Sequence, residues 1–542
     1  MKKILVAIAL LAALISCVDV NEKLGGEFIA TNMKYDFHTA EFDLNDIWMK
    51  SADSLSAYSS RRINFGAIRD ETFGLFRRGC AIVLVPVVDT VDFGGSPIFK
   101  RFKFQAGIDS VSVSDLSQAN ILQNVFVYDL TEPLDPDKYY SNTVIKHGSK
   151  RITKGVPVVN GTDSLTFEFT TEFGQKYLNI TQEDMEDYDR YTSKFPGIYI
   201  TTDDPVGNGG RFNLFKMNIL EKSSSTSTSY PTRTDNYAVM YYSGIYKGER
   251  RDTSLMFYFS PLEFQDLNSI IMSNTLPNQY VFNVDYHESG SLVGKAGDQM
   301  FVEGGSGIKP VISAEEIRGL VLDEITSKGL DPQTALISKA TIVMPFDFPE
   351  DYRSMYLYPD VLSPTIKIST DTSVVFAGLT DASASDENEG DINRSLCVYA
   401  PDITHHVQQI IRQKDEDISK YDIWMLVMHI ETTTTTNAEA SEMAQYYQQI
   451  AYASYANQLY GGGYGGGYYG GYGGYGYGGY GYGYNNYYNY MMMAQYAAAS
   501  ATTTSSSMEM DKDRFYKCVL RGPGAKDGPT PKLKITYAVP RE

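Results

Sequence analysis

Hydrophobic and polar residues alternate in short runs through much of the first half of the chain. The runs at 109–113 and 124–130 place every second residue on one apolar face, and residues 81–88 form a continuous apolar run. Turn sequences rich in glycine, such as the one at 207–210, separate these runs. Because period-two alternation between turns indicates half-buried strands, residues 64–225 are predicted to form a first β-rich, sandwich-like domain.

Residues 226–436 combine strand patterns with helical ones and are predicted to form a second β-rich domain with helices. Residues 313–328 predict a helix, because Ser313 and Glu316 fit a capping box ahead of an apolar face. Residues 404–413 predict a second helix on the same periodicity. The predicted strands are 237–242, 254–259, 336–344 and 423–430. The two domains together predict a mainly β, antiparallel fold with a few short α-helices.

A low-complexity segment interrupts the second domain near the C-terminus. Residues 460–490 contain 15 Gly, 13 Tyr and 3 Asn and nothing else, and Ala, Met, Ser and Thr dominate on both sides of them. Strand patterns resume in residues 512–542, which are predicted to be the closing strands of the second domain. Since lengthening a loop adds only about 0.6 kcal/mol per doubling, residues 437–511 are predicted to be an insertion in the tip of a β-hairpin. Its tyrosines could act as stickers for a partner, or the segment could be a tolerated expansion.

The N-terminus carries an export signal. Two lysines follow Met1, and the twelve apolar residues 4–15 are too few to span a bilayer, which needs about 20. The sequence Leu14-Ile15-Ser16-Cys17 resembles the bacterial lipobox, in which cleavage precedes the cysteine and the thiol is lipidated. Residues 1–16 are therefore predicted to be a lipoprotein signal peptide, Cys17 the lipidation site, and residues 17–63 a lipidated linker. An ordinary signal peptide that happens to contain a cysteine is the alternative.

Charge and cysteine content narrow the function classes. Lysine and arginine number 47 against 66 acidic residues, a formal charge of −19, and no long basic run occurs, so nucleic acid is not an expected partner. After Cys17, three cysteines remain, at 80, 397 and 518, and an odd number at wide spacing is no disulfide framework. Cys397 and Cys518 could pair, or both could be buried free thiols.

The remaining candidate motifs indicate structural roles and not catalytic or ligand-binding sites. The six histidines show no zinc spacing, and His405 and His406 point to different helix faces. The acidic run 386–391 fails the EF-hand pattern and is interpreted as a solvated loop. The glycine-rich run 304–307 does not lead from a buried strand into a helix, so turn geometry is expected there. The sequence therefore predicts no catalytic residue, no cofactor and no metal, although paired carboxylates in a fold could still form a glycosidase site.

Several segments, read in order, resemble one uncharacterised outer-membrane lipoprotein family of the Bacteroidota, a domain of unknown function. The matching elements are the lipobox with Leu24-Gly25, residues 65–74, 109–111, 127–134 with Tyr139-Tyr140, 195–200, 305–308, 339–342 and 399–403. The order of these elements carries the resemblance, and the Tyr/Gly tract departs from it. The resemblance implies an outer-membrane lipoprotein, anchored by acyl chains such as palmitate and facing outward, with no assigned activity.

These observations lead to a functional hypothesis. We expect a non-enzymatic, surface-exposed outer-membrane lipoprotein that is an accessory or scaffold subunit of an outer-membrane protein complex for barrel assembly, secretion or nutrient uptake. Its expected partners are outer-membrane lipid, through acylated Cys17, and other outer-membrane proteins. The alternative is a glycan-binding surface lipoprotein for polysaccharide capture, since tyrosine faces suit sugars, although Trp48 and Trp424 are the only tryptophans.

Overall fold

The structure of the chain is a computed structural model. It describes residues 35–59, 62–88, 90–135, 140–221, 231–260, 264–265, 270, 272, 276–370, 374–379, 381, 388–414, 417–436 and 502–541. Cys17, the Tyr/Gly tract and residues 386–387 of the acidic run lie outside these residues.

The described residues form thirty strands and five α-helices. The strands are β1 (Tyr35–Asp43), β2 (Ile47–Ser51), β3 (Tyr58–Ser59), β4 (Arg62–Asp70), β5 (Gly74–Pro86), β6 (Gly95–Ala106), β7 (Ile108–Val113), β8 (Gln123–Leu130), β9 (His147–Arg151), β10 (Val158–Val159), β11 (Leu165–Glu168), β12 (Ile198–Thr202), β13 (Gly209–Lys216), β14 (Leu220–Glu221), β15 (Thr232–Arg233), β16 (Tyr237–Tyr246), β17 (Glu249–Ser260), β18 (Val281–His287), β19 (Gly294–Lys295), β20 (Gln299–Glu303), β21 (Ile308–Ile312), β22 (Leu336–Pro345), β23 (Val361–Ser369), β24 (Val374–Gly378), β25 (Ile392–Asn393), β26 (Val398–Tyr399), β27 (Ile423–Thr436), β28 (Thr502–Met510), β29 (Lys517–Arg521) and β30 (Lys532–Pro540). The helices are α1 (Thr171–Tyr177), α2 (Gln182–Met185), α3 (Tyr188–Lys194), α4 (Ala314–Ser327) and α5 (Thr404–Arg412). The sheets are mainly antiparallel, which confirms the predicted fold class.

Two hydrophobic cores divide these elements into two bodies. In the first body, fourteen strands between β3 and β18 form one curved, branched sheet system, with β5 pairing β4, β12, β17 and β18 at different points along its length. Helices α1 and α3 cover its core with Phe173, Tyr177 and Tyr191, all buried. These helices were not predicted, because segments of seven residues show too little helical periodicity to outweigh the surrounding strand pattern.

The second body joins the two ends of the described chain. A five-stranded sheet has the order β1-β30-β22-β26-β25, so the first strand pairs with the last from Tyr35↔Pro540 to Asp43↔Lys532. A seven-stranded sheet contains β19-β2-β21-β27-β23-β24, with β28 added beside β27. Helices α4 and α5 pack their buried apolar faces, which include Ile317 and Ile410, into the core between these sheets.

Strand pairing crosses the predicted domain boundary at residue 226. Strands β16, β17 and β18 lie beyond it in sequence, yet β16 pairs with β6, and β17 and β18 pair with β5 of the first body. Conversely, β1 and β2 lie in the predicted linker 17–63 and belong to the second body. Pairing over such separations depends on complementary faces and register, which local alternation does not specify.

The predicted hairpin around the insertion is present, with a shorter insertion than expected. Strands β27 and β28 pair antiparallel over nine rungs, from Met428↔Met510 to Thr436↔Thr502. The Thr/Ser-rich residues 502–510 therefore belong to the ladder and not to the predicted insertion 437–511. The segment between the two strands is 437–501, which lies outside the described residues.

The predicted helix at 313–328 is confirmed, but half of its capping box is used differently. The Ser313 hydroxyl accepts a hydrogen bond from the Glu316 backbone N–H at 3.3 Å. The Glu316 carboxylate does not return to Ser313; it accepts from the backbone N–H groups of Asn45 and Asp46 at 2.7 and 2.9 Å. Glu316 thus ties the first turn of α4 to the segment between β1 and β2. Within the described ranges, no helix is long and apolar enough to cross a membrane.

Candidate functional site: a buried charge network between the two cores

The glycine-rich run 304–307 connects β20 to β21 at the place where the two bodies meet. The Ser306 hydroxyl and backbone N–H donate to one oxygen of Asp285, on β18 of the first body, at 3.0 and 3.2 Å. Arg78, on β5, donates to both oxygens of Asp285 at 2.6 and 3.1 Å, and both side chains are nearly inaccessible, at 1% and 4% exposure. Burial opposes the charge on Arg78, but the neighbouring Asp285 outweighs it and raises the arginine's pKa. The Arg78 guanidinium therefore stays charged inside the protein, with the Asp285 carboxylate as its partner.

A second pair, Glu303 and Lys309, is buried on the second-body side of the run. The Lys309 ammonium donates to the carbonyl oxygens of Gly305 and Gly307 at 3.0 and 3.1 Å and to that of Glu303. Burial lowers the pKa of Lys309 to about 8. Burial also raises the pKa of Glu303, although Ser289, His287 and Lys309 oppose that shift.

His287 links this pair to the surface through a chain of side chains. One ring nitrogen lies 3.0 Å from an Asp53 oxygen, and the other lies 2.9 Å from the Ser289 hydroxyl. The Ser289 hydroxyl in turn donates to the Glu303 carboxylate at 2.5 Å. Burial disfavours the charged imidazole, but the hydrogen bond to Asp53 and the nearby carboxylates outweigh burial and raise its pKa. We refer to Arg78, Asp285, Ser306, Glu303, Lys309, His287, Ser289 and Asp53 as the junction network.

The chain from Ser289 through His287 to Asp53 has the residue types of a nucleophilic triad but not its proton arrangement. A triad serine gives its proton to the histidine. Here the Ser289 proton points to Glu303, so the histidine must donate to Ser289 and, when charged, also to Asp53. Ser289 is 1% exposed. The arrangement therefore suits a structural connection between the two bodies, in which Ser289 donates its proton to Glu303. It does not suit attack of the Ser289 hydroxyl on a substrate.

The glycines of the run are required by the close approach of charged side chains. Gly305 has φ +52°, and a Cβ there would lie 2.5 Å from an Arg78 nitrogen and 2.8 Å from an Asp285 oxygen. A Cβ on Gly307 would lie 2.2 Å from a Glu303 oxygen. The expectation of turn geometry at 304–307 was therefore incomplete, since the run also packs directly against charged side chains of the junction network.

Replacing Gly307 with alanine is expected to lower the free energy of unfolding by about 1–3 kcal/mol, because the methyl group would displace the Glu303 carboxylate. Gly319→Ala is the matched control. Gly319 lies inside α4 with no atom within 4 Å of an added Cβ, so its substitution should raise stability by about 0.5–1 kcal/mol. Urea denaturation measures both changes, and equal effects of the two substitutions would contradict the close-approach argument.

The network should also make stability depend on pH. The folded pKa of His287 is raised above its ordinary value of 6.5, so its contribution is fully present below that pH and is lost as pH rises through the folded pKa. We expect the parent to lose stability relative to His287→Asn as pH is raised from 6 to about 8. His405→Asn provides the control, since it removes an exposed imidazole that lies outside the junction network. Urea midpoints measured across this range for the three proteins test the expectation, which a parallel profile for His287→Asn would refute.

The other residues singled out from the sequence are distributed through the fold and do not meet at one place. Cys17 lies outside the described residues. Cys80 and Cys518 are buried free thiols, and Cys397 is free and partly exposed. The backbone N–H groups of His405 and His406 bond to Asp381, and the His406 ring bonds to the Tyr421 carbonyl at 2.9 Å, which are structural contacts.

Trp424 is buried and lies edge-on to Phe376, whereas Trp48 is 42% exposed. In the acidic run, the Asn388 side chain accepts from the N–H groups of Gly390 and Asp391, which forms a local turn. Among the described residues, no group of three or more His, Cys, Asp or Glu side chains is placed to hold a metal ion.

Sequence reasoning missed the junction network. The one signal was the pair Arg77-Arg78 inside the otherwise apolar strand β5, because a charge at a buried strand position needs a partner. Its partner, Asp285, is 207 residues away, and no local pattern identifies it.

A scan of protein-family models, a search of curated proteins and a search of solved structures found no match to this chain.

Proposed function

We propose that this protein is a lipid-anchored, surface-exposed accessory or scaffold subunit of an outer-membrane protein complex and that it is not an enzyme. Machines for barrel assembly, secretion or nutrient uptake are the proposed hosts. The observation that carries the proposal is the paired ribbon of β27 and β28, which is rooted in the second-body sheet and carries the segment 437–501 between its ends.

The tyrosine-rich tract belongs to the segment that joins the two strands of the ribbon. The tract within 437–501 contains 13 tyrosines in 31 residues and no branched aliphatic residue. Tyrosine has a flat apolar face and a polar tip and loses few torsions on binding, which suits contact with a partner surface. A folded body whose two-stranded ribbon is joined by a segment with such a tract is suited to assembly.

The length of chain between Cys17 and β1 limits how far the folded part can lie from the lipid anchor. Seventeen residues lie between Cys17 and Tyr35, the first residue of β1, and the chain from one to the other can span at most about 65 Å. Acyl chains on Cys17 contribute about 0.8 kcal/mol per buried CH₂ to anchorage. The proposal thus places Tyr35, at the start of β1, within about 65 Å of the lipid surface.

A firm connection between the bodies also supports a scaffold role. Beside the junction network, an apolar cluster joins them: Phe76 and Phe212 of the first body pack with Leu357 and Phe515 of the second. A rigid scaffold binds a partner without ordering its own domains first, which preserves affinity.

Co-purification of the full-length protein in mild detergent tests the proposal. We expect the parent to carry defined outer-membrane proteins and a variant with the 13 tyrosines of 460–490 replaced by serine to lose them, because serine lacks the aromatic contact area. Both should melt at the same temperature, since the residues of the two described cores are unchanged in the variant. Replacement of the 3 asparagines of the tract by serine is the matched control and should retain the partners. Recovery of the parent alone, even after cross-linking, would contradict the accessory role.

Glycan binding is a second candidate, favoured by one shallow cleft of about 610 Å³ in the second body. Phe348, which is half exposed, lines the cleft, and Arg521 holds the Asp347 carboxylate at 2.7 and 2.9 Å beside it. An aromatic face next to fixed charged groups can hold a sugar ring and its hydroxyls. Calorimetric titration of the protein with a defined polysaccharide distinguishes this candidate from the first.

A further inference from the structure

Three loops at one end of the first body expose aliphatic side chains. They are residues 114–122, 155–164 and 203–208, and we call them together the loop tip. The exposed aliphatic residues are Leu116, Ile121, Leu122, Val156, Val158 and Val206. Leu122 is 74% exposed and Val206 is fully exposed. Single exposed aliphatic residues are common on proteins, but a group on adjoining loops marks a binding surface when the loops are held in place.

A fully buried arginine holds two of these loops together. Arg211, on β13, is 0% exposed, and its guanidinium donates to the carbonyl oxygens of Ala119 and Ile121 at 2.7 and 2.8 Å. It donates at 3.1 Å to the carbonyl of Val159, next to Val158. Its remaining contact is the side chain of Asn213, at 2.7 Å. One arginine thus donates to three backbone carbonyls from two of the loops.

The third loop is attached through Gln118. Its side chain accepts from the Gly210 backbone N–H at 2.7 Å and donates to the Asn208 carbonyl at 3.4 Å. Gly209, at φ +120°, lets this amide approach, because a Cβ there would lie 2.0 Å from the Gln118 oxygen. Gly161 does the same for the second loop, where a Cβ would lie 2.3 Å from the Ala119 carbonyl. Glycine contacts and side-chain hydrogen bonds therefore fix all three loops relative to one another.

Holding the loops together through a buried arginine destabilises the fold. Burying a guanidinium against neutral carbonyls is unfavourable, and burial lowers the pKa of Arg211 to about 10. A tip whose only role was to connect strands could be made with solvated loops. A surface that is ordered before binding loses less entropy when a partner arrives, which is the benefit that offsets the buried charge.

The charges of the loop tip indicate the chemistry of the partner. The three loops carry the exposed carboxylates of Asp115, Asp163, Asp203 and Asp204 and contain no lysine or arginine. Asp204 is paired with Arg77 of β5, and the other three have neutral hydrogen-bond partners. Carboxylates around an aliphatic centre repel an anionic lipid surface and attract a basic protein rim.

We propose that the loop tip is a docking surface for a protein partner that presents an apolar pocket bordered by lysine or arginine. The inference names the partner chemistry of the accessory role and rests on that proposed function. Leu122 and Val206 are the central contacts, and the acidic side chains set orientation and association rate.

Site-specific photo-cross-linking in cells tests the proposal, with a benzophenone amino acid placed at position 122 or 206 of the full-length protein. Val144 is 86% exposed on a loop outside the tip and is the matched control position. We expect probes at 122 and 206 to yield the same protein adduct, whose cross-linked peptide contains apolar residues flanked by Lys or Arg. The probe at 144 should not yield it. Leu122→Asp should lower the adduct formed from position 206 at least tenfold without changing the melting temperature, because Leu122 is not part of the core.

The other outcomes overturn the proposal. They are adducts only with lipid, only with a second copy of this chain, with a peptide rich in Asp and Glu, or no adduct at all. Failure of this inference is distinguishable from failure of the proposed function. If Leu122→Asp co-purifies the same partners as the parent in equal yield, the loop tip is not the docking surface and the accessory role stands. If the parent itself is recovered alone, the accessory role fails.

Discussion

Substituting Arg78 with methionine is expected to lower the free energy of unfolding by about 3–5 kcal/mol. The substitution leaves the buried Asp285 carboxylate without its hydrogen-bonded ion-pair partner and removes the donor to the Asp513 carbonyl. The effect is large because a buried charge that loses its partner cannot be solvated by water. Urea denaturation measures it, with circular dichroism reporting both bodies and tryptophan fluorescence reporting the second, where Trp48 and Trp424 both lie.

The neighbouring residue provides the control. Arg77 precedes Arg78 on β5 and pairs with Asp204, but both of those side chains are about one-third exposed. Arg77→Met should therefore cost no more than about 1 kcal/mol. The double variant Arg78→Met with Asp285→Leu should recover part of the loss, since it removes both buried charges. An Arg78→Met protein as stable as Arg77→Met would show that the pair does not hold the two bodies together.

Replacing Cys17 with serine is expected to move the protein from the envelope fraction to the soluble fraction. A hydroxyl in place of the thiol cannot accept the diacylglyceryl group, so the variant loses the acyl chains that hold the body to lipid. Fractionation followed by immunoblotting measures the shift, and incorporation of labelled palmitate should disappear with it.

Cys397 allows a matched comparison, because it is a partly exposed free thiol far from the N-terminus. Cys397→Ser should remain in the envelope fraction and incorporate palmitate as the parent does. If Cys17→Ser stays in the envelope as firmly as the parent, the lipoprotein assignment fails, and the proposed function fails with it.

Helices and strands were predictable where the capping residues and the apolar spacing that determine them lie in the same segment. Helix α4 begins after Ser313 because that hydroxyl caps the first turn, and it ends near Gly329, whose φ is +74°. Helix α5 buries Val407, Ile410 and Ile411, as the apolar spacing indicates. Strand β27 includes all of the predicted strand 423–430. In each case the pattern that predicts the element lies in the element itself or in its caps.

The candidate site was not predictable, because its members are brought together from distant parts of the chain. Asp53, Arg78, Asp285 and Lys309 belong to four different segments. The glycine-rich run looked like a turn, since glycine permits many conformations and sequence does not show which atoms will approach it. The buried Arg211 was likewise invisible, because its partners are backbone carbonyls, which every residue possesses.

The sequence by itself determined that the chain is mainly antiparallel β, where its main helices begin, and that a hairpin carries the low-complexity segment. These properties follow from side-chain periodicity and capping, which act over neighbouring residues. Only the tertiary structure decided that β1 pairs with β30, that residues beyond 226 complete the first body, and that buried charges join the two cores. The physical reason is that strand pairing and charge burial depend on which distant parts of the chain meet. These interactions form only when the chain has folded.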